Sequence, residues 1–198
     1  VFRTSDGGAT YGQVAKLTAA DAAVNDRFGY SVAIAGDTVV VGTYSKEAVY
    51  VFLTTDGGAT YAQVAKLTAS DAASGDNFGK SVAIDGGTVV VGASHYDNGG
   101  SGAVYVFLTT NGGATYGQVA KLTANDGATD ESFGNSVAID GDIFLIGAYW
   151  PDDGFGSDSG SAYVFALNPP FTAAPTHLPT RHTICLLYTS DAADDGLS

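Results

Sequence analysis

The sequence predicts an all-β fold made of stacked copies of one four-stranded unit. Three observations carry that prediction. A Phe-Gly pair recurs at Phe28-Gly29, Phe78-Gly79 and Phe133-Gly134, with spacings of 78 − 28 = 50 and 133 − 78 = 55 residues. Shifting the chain by 50 residues places 1–45 on 51–95 with about 32 of 45 positions identical. No segment carries the 3.6-residue apolar period of a helix. A period of this size marks supersecondary units that stack to cover one another's apolar faces.

Each unit divides into four strands. The first is Ser31–Ile34, repeated at Ser81–Ile84 and Ser136–Ile139. A tight turn follows at Ala35-Gly36-Asp37, Asp85-Gly86-Gly87 and Asp140-Gly141-Asp142, where glycine supplies the positive φ. The second strand is Thr38–Val41, then Thr88–Val91 and Ile143–Ile146. It is apolar without alternation, so both of its faces are expected to be covered. The third is Val49–Phe52, Val104–Phe107 and Ala162–Phe165. Asp56-Gly57-Gly58 and Asn111-Gly112-Gly113 then reverse the chain into the fourth strand, Tyr61–Leu67, matched at Tyr11–Leu17 and Tyr116–Leu122. Four antiparallel strands per ~50 residues is the pattern of a β-propeller blade.

Residues 28–70 and 78–124 hold complete units. Residues 133–167 hold three strands of another, and 1–19 hold the end of a third strand and a fourth strand. Propeller rings close with ~4–8 blades. The expected architecture is therefore a partial β-propeller, about three blades in an open arc with an unpaired edge at each end.

Two distances inside the unit never change. From the Phe of Val-Phe (Phe2, Phe52, Phe107) to the Phe of Phe-Gly is 26 residues each time, and from there to Gly42, Gly92 or Gly147 is 14. All length variation sits between the second and third strands, where the gaps Gly42 to Val49, Gly92 to Val104 and Gly147 to Ala162 are 7, 12 and 15 residues. Insertions in a repeat array collect in loops on one face, often the binding face.

Phe28-Gly29-Tyr30-Ser31-Val32-Ala33-Ile34 followed by Val40-Val41-Gly42 resembles the FG-GAP repeat. Phe78-Gly79 with Val91-Gly92-Ala93, and Phe133-Gly134 with Ile146-Gly147-Ala148, match it more fully. The resemblance covers roughly residues 1–167. It implies the seven-bladed propeller of integrin α-subunit heads and of many secreted repeat proteins, hence an extracellular or cell-surface location and a role in adhesion or recognition. The family's Pro after Gly-Ala is absent, since Ser94 and Tyr149 stand there and the first unit has Thr43-Tyr44.

Charge and composition remove several classes. Eight Lys+Arg against 21 Asp+Glu give 8 − 21 = −13. That balance argues against nucleic acid as a partner, which needs Lys and Arg against phosphate, and against an anionic membrane surface. One Cys cannot make a disulfide framework or a cysteine zinc cluster. No apolar run reaches the ~20 residues of a membrane-spanning helix, so no membrane insertion is expected. At 45% hydrophobic residues the chain is too apolar for wholesale disorder.

The ends read as those of a fragment. No Met and no basic-then-apolar leader is present. The blades occupy 1–167, a Pro-rich irregular segment 168–184, and the tail 185–198 resembles a translated sequencing adapter. That tail is left out of the functional argument.

Each chemistry-bearing feature has a plain structural alternative. Phe28, Phe78, Phe133, Tyr50, Tyr105 and Tyr163 are expected to pack between blades. Integrin-type blades bind calcium in a D-x-D-x-D-G loop between the first two strands, and the resemblance raises that cofactor. Calcium takes six to eight oxygens, whereas the turns here are short and poor in carboxylates, so no cofactor is expected. A second acidic set, Asp21 and Asp26, Asp71 and Asp76, Asp126 and Glu131, recurs in the link between blades and is expected to bond its own turns.

The strand 2–3 loop and the strand 4–1 link of a meander emerge on one face. The candidate ligand-binding residues there are Tyr44, His95, Tyr96, Asp97, Tyr149, Trp150, Asp152 and Asp153. Exposed aromatics beside carboxylates suit a sugar ring or a cationic side chain. No Ser-His-Asp set, paired Glu or phosphate loop is evident, so no catalytic residue is assigned. The expected function is non-catalytic recognition of a protein or carbohydrate ligand through this face. The alternatives are a scaffold propeller of a larger secreted enzyme and a purely architectural repeat.

Overall fold

Glycine turns and aliphatic runs cut the chain into short antiparallel strands. In the computed structural model, which describes residues 1–4, 6–94, 100–126, 132–149 and 160–166, these are β1 (Phe2–Arg3), β2 (Gly12–Gln13), β3 (Ser31–Ala35), β4 (Thr38–Thr43), β5 (Ala48–Leu53), β6 (Ala62–Leu67), β7 (Phe78–Asp85), β8 (Thr88–Ala93), β9 (Ala103–Leu108), β10 (Gly117–Leu122), β11 (Phe133–Asp140), β12 (Ile143–Ala148) and β13 (Ser161–Ala166). Among the described residues there is no helix. Three meanders form, β3-β4-β5-β6, β7-β8-β9-β10 and β11-β12-β13, with β1-β2 a separate pair. These are blades one, two and three of a partial, open β-propeller. The adapter-like tail and the Pro-rich segment lie outside the described residues.

The register repeats with the sequence. Ser31 faces Gly42, Ser81 faces Gly92, and Ser136 faces Gly147. Phe52 faces Gln63 and Phe107 faces Gln118, each beside a one-residue bulge in the fourth strand. The hairpin between third and fourth strands is closed by side chains. Thr60 donates its amide (2.9 Å) and hydroxyl (2.6 Å) to the Asp56 carboxylate, and the Gly58 amide donates to Thr54 Oγ1 (2.7 Å). Such bonds let Asp and Thr stand in for backbone partners in a tight turn.

Blades stack face to face through their first strands, β3 against β7 and β7 against β11. Val40, Val49 and Val51 of blade one pack on Phe78, Val89 and Val91 of blade two. Val90, Val104 and Val106 of blade two pack in the same way on Phe133, Phe144 and Ile146 of blade three. Phe78 lies edge-on to Tyr105 and Phe107 (5.5 and 6.0 Å), and Phe133 to Tyr163 and Phe165 (5.3 and 5.9 Å). Edge-to-face geometry sets the positive ring edge against the negative face. The Phe-Gly phenylalanine is thus a core anchor, fully buried at 78 and 133 and half-buried at 28.

The glycines set the separation of the blades. Ser31 Oγ donates to the Gly79 carbonyl and Ser81 Oγ to the Gly134 carbonyl, each at 2.7 Å. A Cβ on Gly42 or Gly92 would collide with that same carbonyl oxygen. Gly79 and Gly134 have φ of +90° and +88°, a conformation that glycine adopts without strain.

Three expectations are corrected. The first strand extends back to Phe78 and Phe133 in blades two and three, because Phe78 pairs with Ala93 and Phe133 with Ala148 across a bulge. The segment Tyr11–Leu17 forms only the two-residue β2, because its third-strand partner here is no longer than Val1–Arg3. The second strand is covered on both faces in β4 and β8, yet β12 alternates, with Ile143 and Leu145 exposed. Blade three has no further blade beyond it among the described residues.

Replacing Gly92 by Ala inserts a methyl into the blade two–three contact. It is expected to destabilise the fold by about 1–3 kcal/mol, the range for overpacking a close interior contact, read from the urea midpoint. Gly117→Ala, on exposed β10 with open space around it and no left-handed backbone, is the control for adding a methyl without the collision.

Candidate functional site

The strand 2–3 loop of blade one is residues 44–47, and the link from blade one to blade two is residues 68–77. They meet on one face, as a meander requires. The Gly75 amide donates to Glu47 Oε1 at 2.6 Å. Between them lies an open cleft of about 470 Å³, lined by Tyr44, Lys46, Glu47, Ser74 and Asn77 among others. On its rim Tyr30 stacks edge-on against Tyr44 (4.4 Å, 67°), and the Arg27 guanidinium sits 5.0 Å from the Tyr44 ring centroid. Arg27 is held in the left-handed region at φ +54°, and so are its counterparts Asn77 (+58°) and Ser132 (+51°).

Tyr44 therefore lies where the sequence placed it, half-buried between Tyr30 and Arg27. Tyr149 occupies the equivalent position in blade three and is exposed. The equivalent in blade two, Ser94, is fully buried, and its carbonyl accepts from Asn77 Nδ2 at 3.2 Å. His95, Tyr96, Asp97, Trp150, Asp152 and Asp153 lie outside the described residues. Arg27, Tyr30, Lys46 and Glu47 were not anticipated. The signal that finds them is divergence between copies, since Arg27 aligns with Asn77 and Ser132, and Tyr30 with Lys80 and Asn135.

The acidic link residues do two different jobs. Asp26 and Asp76 bond their own turns, accepting from the Ala23 and Ala73 amides at 2.7 and 3.0 Å. Asp26 also accepts from Lys46 Nζ at 2.9 Å. Asp21 instead accepts from the Tyr50 hydroxyl (2.6 Å) and pairs with Lys66 (2.7 Å), and Asp71 pairs with Lys121 (2.6 Å) next to Tyr105. The repeating Asp–Tyr–Lys group clamps the links into blades one and two to the third and fourth strands of the blade each enters. The Lys66 ammonium, then the Tyr50 hydroxyl, hold the Asp21 carboxyl well below the usual carboxylate range. Lys121 lowers the Asp71 carboxyl from its ordinary value. Burial, then the bond to Asp21, pushes the Tyr50 phenol up.

The calcium implied by an integrin-type loop does not fit these blades. The connections between first and second strands are the two-residue turns Gly36-Asp37, Gly86-Gly87 and Gly141-Asp142. None offers a loop of oxygens, and the Asp85 carboxylate beside one of them already accepts from the Gly141 amide at 2.7 Å. Among the described residues no group of three or more His, Cys, Asp or Glu could hold a metal.

The description of the FG-GAP repeat matches residues 11–62, 61–107 and 116–165, three windows that together span most of the chain. The chain belongs to the FG-GAP repeat family. FG-GAP propeller modules are generally non-catalytic and typical of extracellular proteins. The second and third FG-GAP windows run from the fourth strand of one blade to about the end of the third strand of the next, so the repeat unit straddles two blades. No curated protein matches the chain. Among solved structures, the crystal structure of Saccharomyces cerevisiae Sqt1 is similar at 15% identity and a TM-score of 0.48, over 73% of this chain and 33% of that one. This chain therefore spans about a third of the length of that protein.

A carboxylate held low in the folded state stabilises it above its unfolded pKa and loses that contribution as pH falls. Melting temperature is therefore expected to drop below about pH 4, the unfolded carboxylate value. The Asp21→Asn, Asp71→Asn double variant is expected to flatten that acid limb. Melts followed by circular dichroism between pH 7 and 3 check it, and an unchanged slope would count against the clamps.

Proposed function

We propose that this FG-GAP module is a non-catalytic, extracellular recognition surface that takes a protein or glycan ligand on its loop face. One observation carries the reading: all length variation is confined there, and substitutions are concentrated there. All three loop-length differences fall between second and third strands. Of the 13 positions at which 1–45 and 51–95 differ, seven (20, 24, 25, 27, 30, 44 and 45) lie on the loop or link of that face. Uniform blades need identical packing residues, whereas a ligand-contacting face is free to diverge.

The chemistry of the cleft supports the same class of ligand. Tyr30 and Tyr44 give a rigid aromatic surface, Arg27, Lys46, Glu47 and Asn77 line or rim it with donors and acceptors, and the volume suits one sugar ring or one side chain. In this reading Tyr149, Trp150, Asp152 and Asp153 offer a second such set in blade three, and His95, Tyr96 and Asp97 a third in blade two.

Glycan-array binding, with immobilised cell-surface glycoproteins as a second panel, tests it. Tyr44→Ala combined with Trp150→Ala is expected to weaken a bound ligand by about tenfold or more, as for loss of a buried aromatic anchor, with the melting temperature retained. Binding indifferent to both substitutions contradicts the reading.

A further inference from the structure

The hairpin before the fourth strand occurs three times with one chemical difference. The copies read Asp6-Gly7-Gly8-Ala9-Thr10, Asp56-Gly57-Gly58-Ala59-Thr60 and Asn111-Gly112-Gly113-Ala114-Thr115. Two present a carboxylate to the closing threonine. The third, inside blade two, presents an amide followed by glycine.

The carboxylate copies fill their cradle. Asp56 Oδ1 accepts from the Thr60 amide (2.9 Å) and the Thr54 hydroxyl (2.7 Å), and Oδ2 accepts from the Thr60 hydroxyl (2.6 Å). Asp6 takes the same bonds from Thr10 and Thr4 at 2.9, 2.7 and 2.6 Å. The Thr10 and Thr60 hydroxyls, then the amides of the same residues, hold the Asp6 and Asp56 carboxyls well below the usual carboxylate range. The cradle is therefore built for an anion. Asn111 occupies the same frame with an amide. Its Oδ1 accepts from the Thr115 amide and the Thr109 hydroxyl, both at 2.9 Å, and its Nδ2 donates to Thr115 Oγ1 at 2.8 Å.

A nucleophile lies next to that amide. The backbone amides of Asn111 and Gly113 both donate to Thr109 Oγ1, at 3.4 and 3.0 Å. The Gly112 amide between them donates to no group among the described residues. Gly112 is exposed, at φ +69°, with nothing within 4 Å of where a Cβ would stand, so no side chain shields its nitrogen. The two donors on Oδ1 draw electrons from Cγ of Asn111, as donors in an oxyanion hole do.

The geometry points to Asn111 as a self-modifying site that becomes aspartate by way of a cyclic imide. The Gly112 nitrogen attacks Cγ of Asn111 and forms the N–Cγ bond. The Cγ–Nδ2 bond breaks, and ammonia leaves with the Gly112 amide proton. Water then opens the ring, its hydroxyl adding to a ring carbonyl and its proton returning to the nitrogen. Nothing is oxidised or reduced, and water is the only co-reactant. Opening at Cγ yields aspartate, and opening at the backbone carbonyl yields isoaspartate. The Thr109 hydroxyl and the Thr115 amide polarise the carbonyl at Cγ, so the folded hairpin directs opening there. The product takes up the bonds of Asp56, the three hairpins become alike, and the net charge passes from −13 to −13 − 1 = −14.

The test ages the full 198-residue chain at mildly alkaline pH in an Asn98→Gln background, because Asn98-Gly99 is the other Asn-Gly pair. Peptide mass spectrometry is expected to place the mass gain of an amide turned acid on residue 111, with aspartate in excess of isoaspartate. The same chain aged in urea, where the donors are gone, is expected to lose that excess. Thr109→Val, with its fold checked by circular dichroism, is expected to lower the aspartate-to-isoaspartate ratio about fivefold, the weight of one neutral hydrogen bond. Asn111→Asp carries the product from the start and is expected to melt no lower than the parent chain. Residue 111 unchanged in the folded chain after the urea-treated chain has converted would overturn the proposal. So would isoaspartate in excess from the folded chain, a ratio indifferent to Thr109→Val, or a lower melting temperature for Asn111→Asp.

Discussion

The fold depends on one constraint: a four-stranded sheet whose middle strands are apolar on both faces cannot cover itself. Val89, Val90 and Val91 are adjacent in sequence, so they point alternately to opposite faces of β8, and all three are fully buried. Val89 and Val91 face blade one, and Val90 faces blade three. The glycines and the Phe anchors follow from that need. Gly42 and Gly92 lack a side chain because the next blade's carbonyl must come within reach of Ser31 or Ser81. The blade spacing is thus set by a hydrogen bond to backbone and filled by aliphatic side chains, and both are lost together if the sheets separate.

The same constraint sorts the surface into two kinds. The loop face takes no part in covering sheets, so residues there are free to change, and the Arg27–Tyr30–Tyr44 group stands where the copies diverge. The end faces are the opposite case. Their sequences still obey the blade pattern, and Val32, Ile34, Leu145 and Val164 are apolar although exposed.

Much of the fold was legible because the repeat is almost literal. The three copies gave the four strands of each blade, their order, the glycine turns and the buried Phe-Gly phenylalanines. Uniform burial of the second strand was legible in β4 and β8 and failed in β12, because burial there is a property of the neighbour and not of the strand's own residues. Tyr11–Leu17 failed for the same reason: a strand needs a partner as well as a sequence. Of the candidate site, Tyr44 was legible from its place after Gly42. Arg27 was not, because its contact with Tyr44 depends on a left-handed φ that no residue type announces. The Asp–Tyr–Lys clamps were visible as three separate repeating residues, but their meeting across 29 to 50 positions needed the sheet register.

Mutual cover between sheets is tested most directly by strand-resolved hydrogen exchange on Val90→Ala. Val90 belongs to blade two but packs on blade three. Truncating a fully buried aliphatic residue is expected to speed exchange by about tenfold or more in β8 and in β11–β12 alike, because both sheets lose the same contact. Faster exchange confined to β8, with blade three untouched, would mean that each blade is stable alone and would contradict the account.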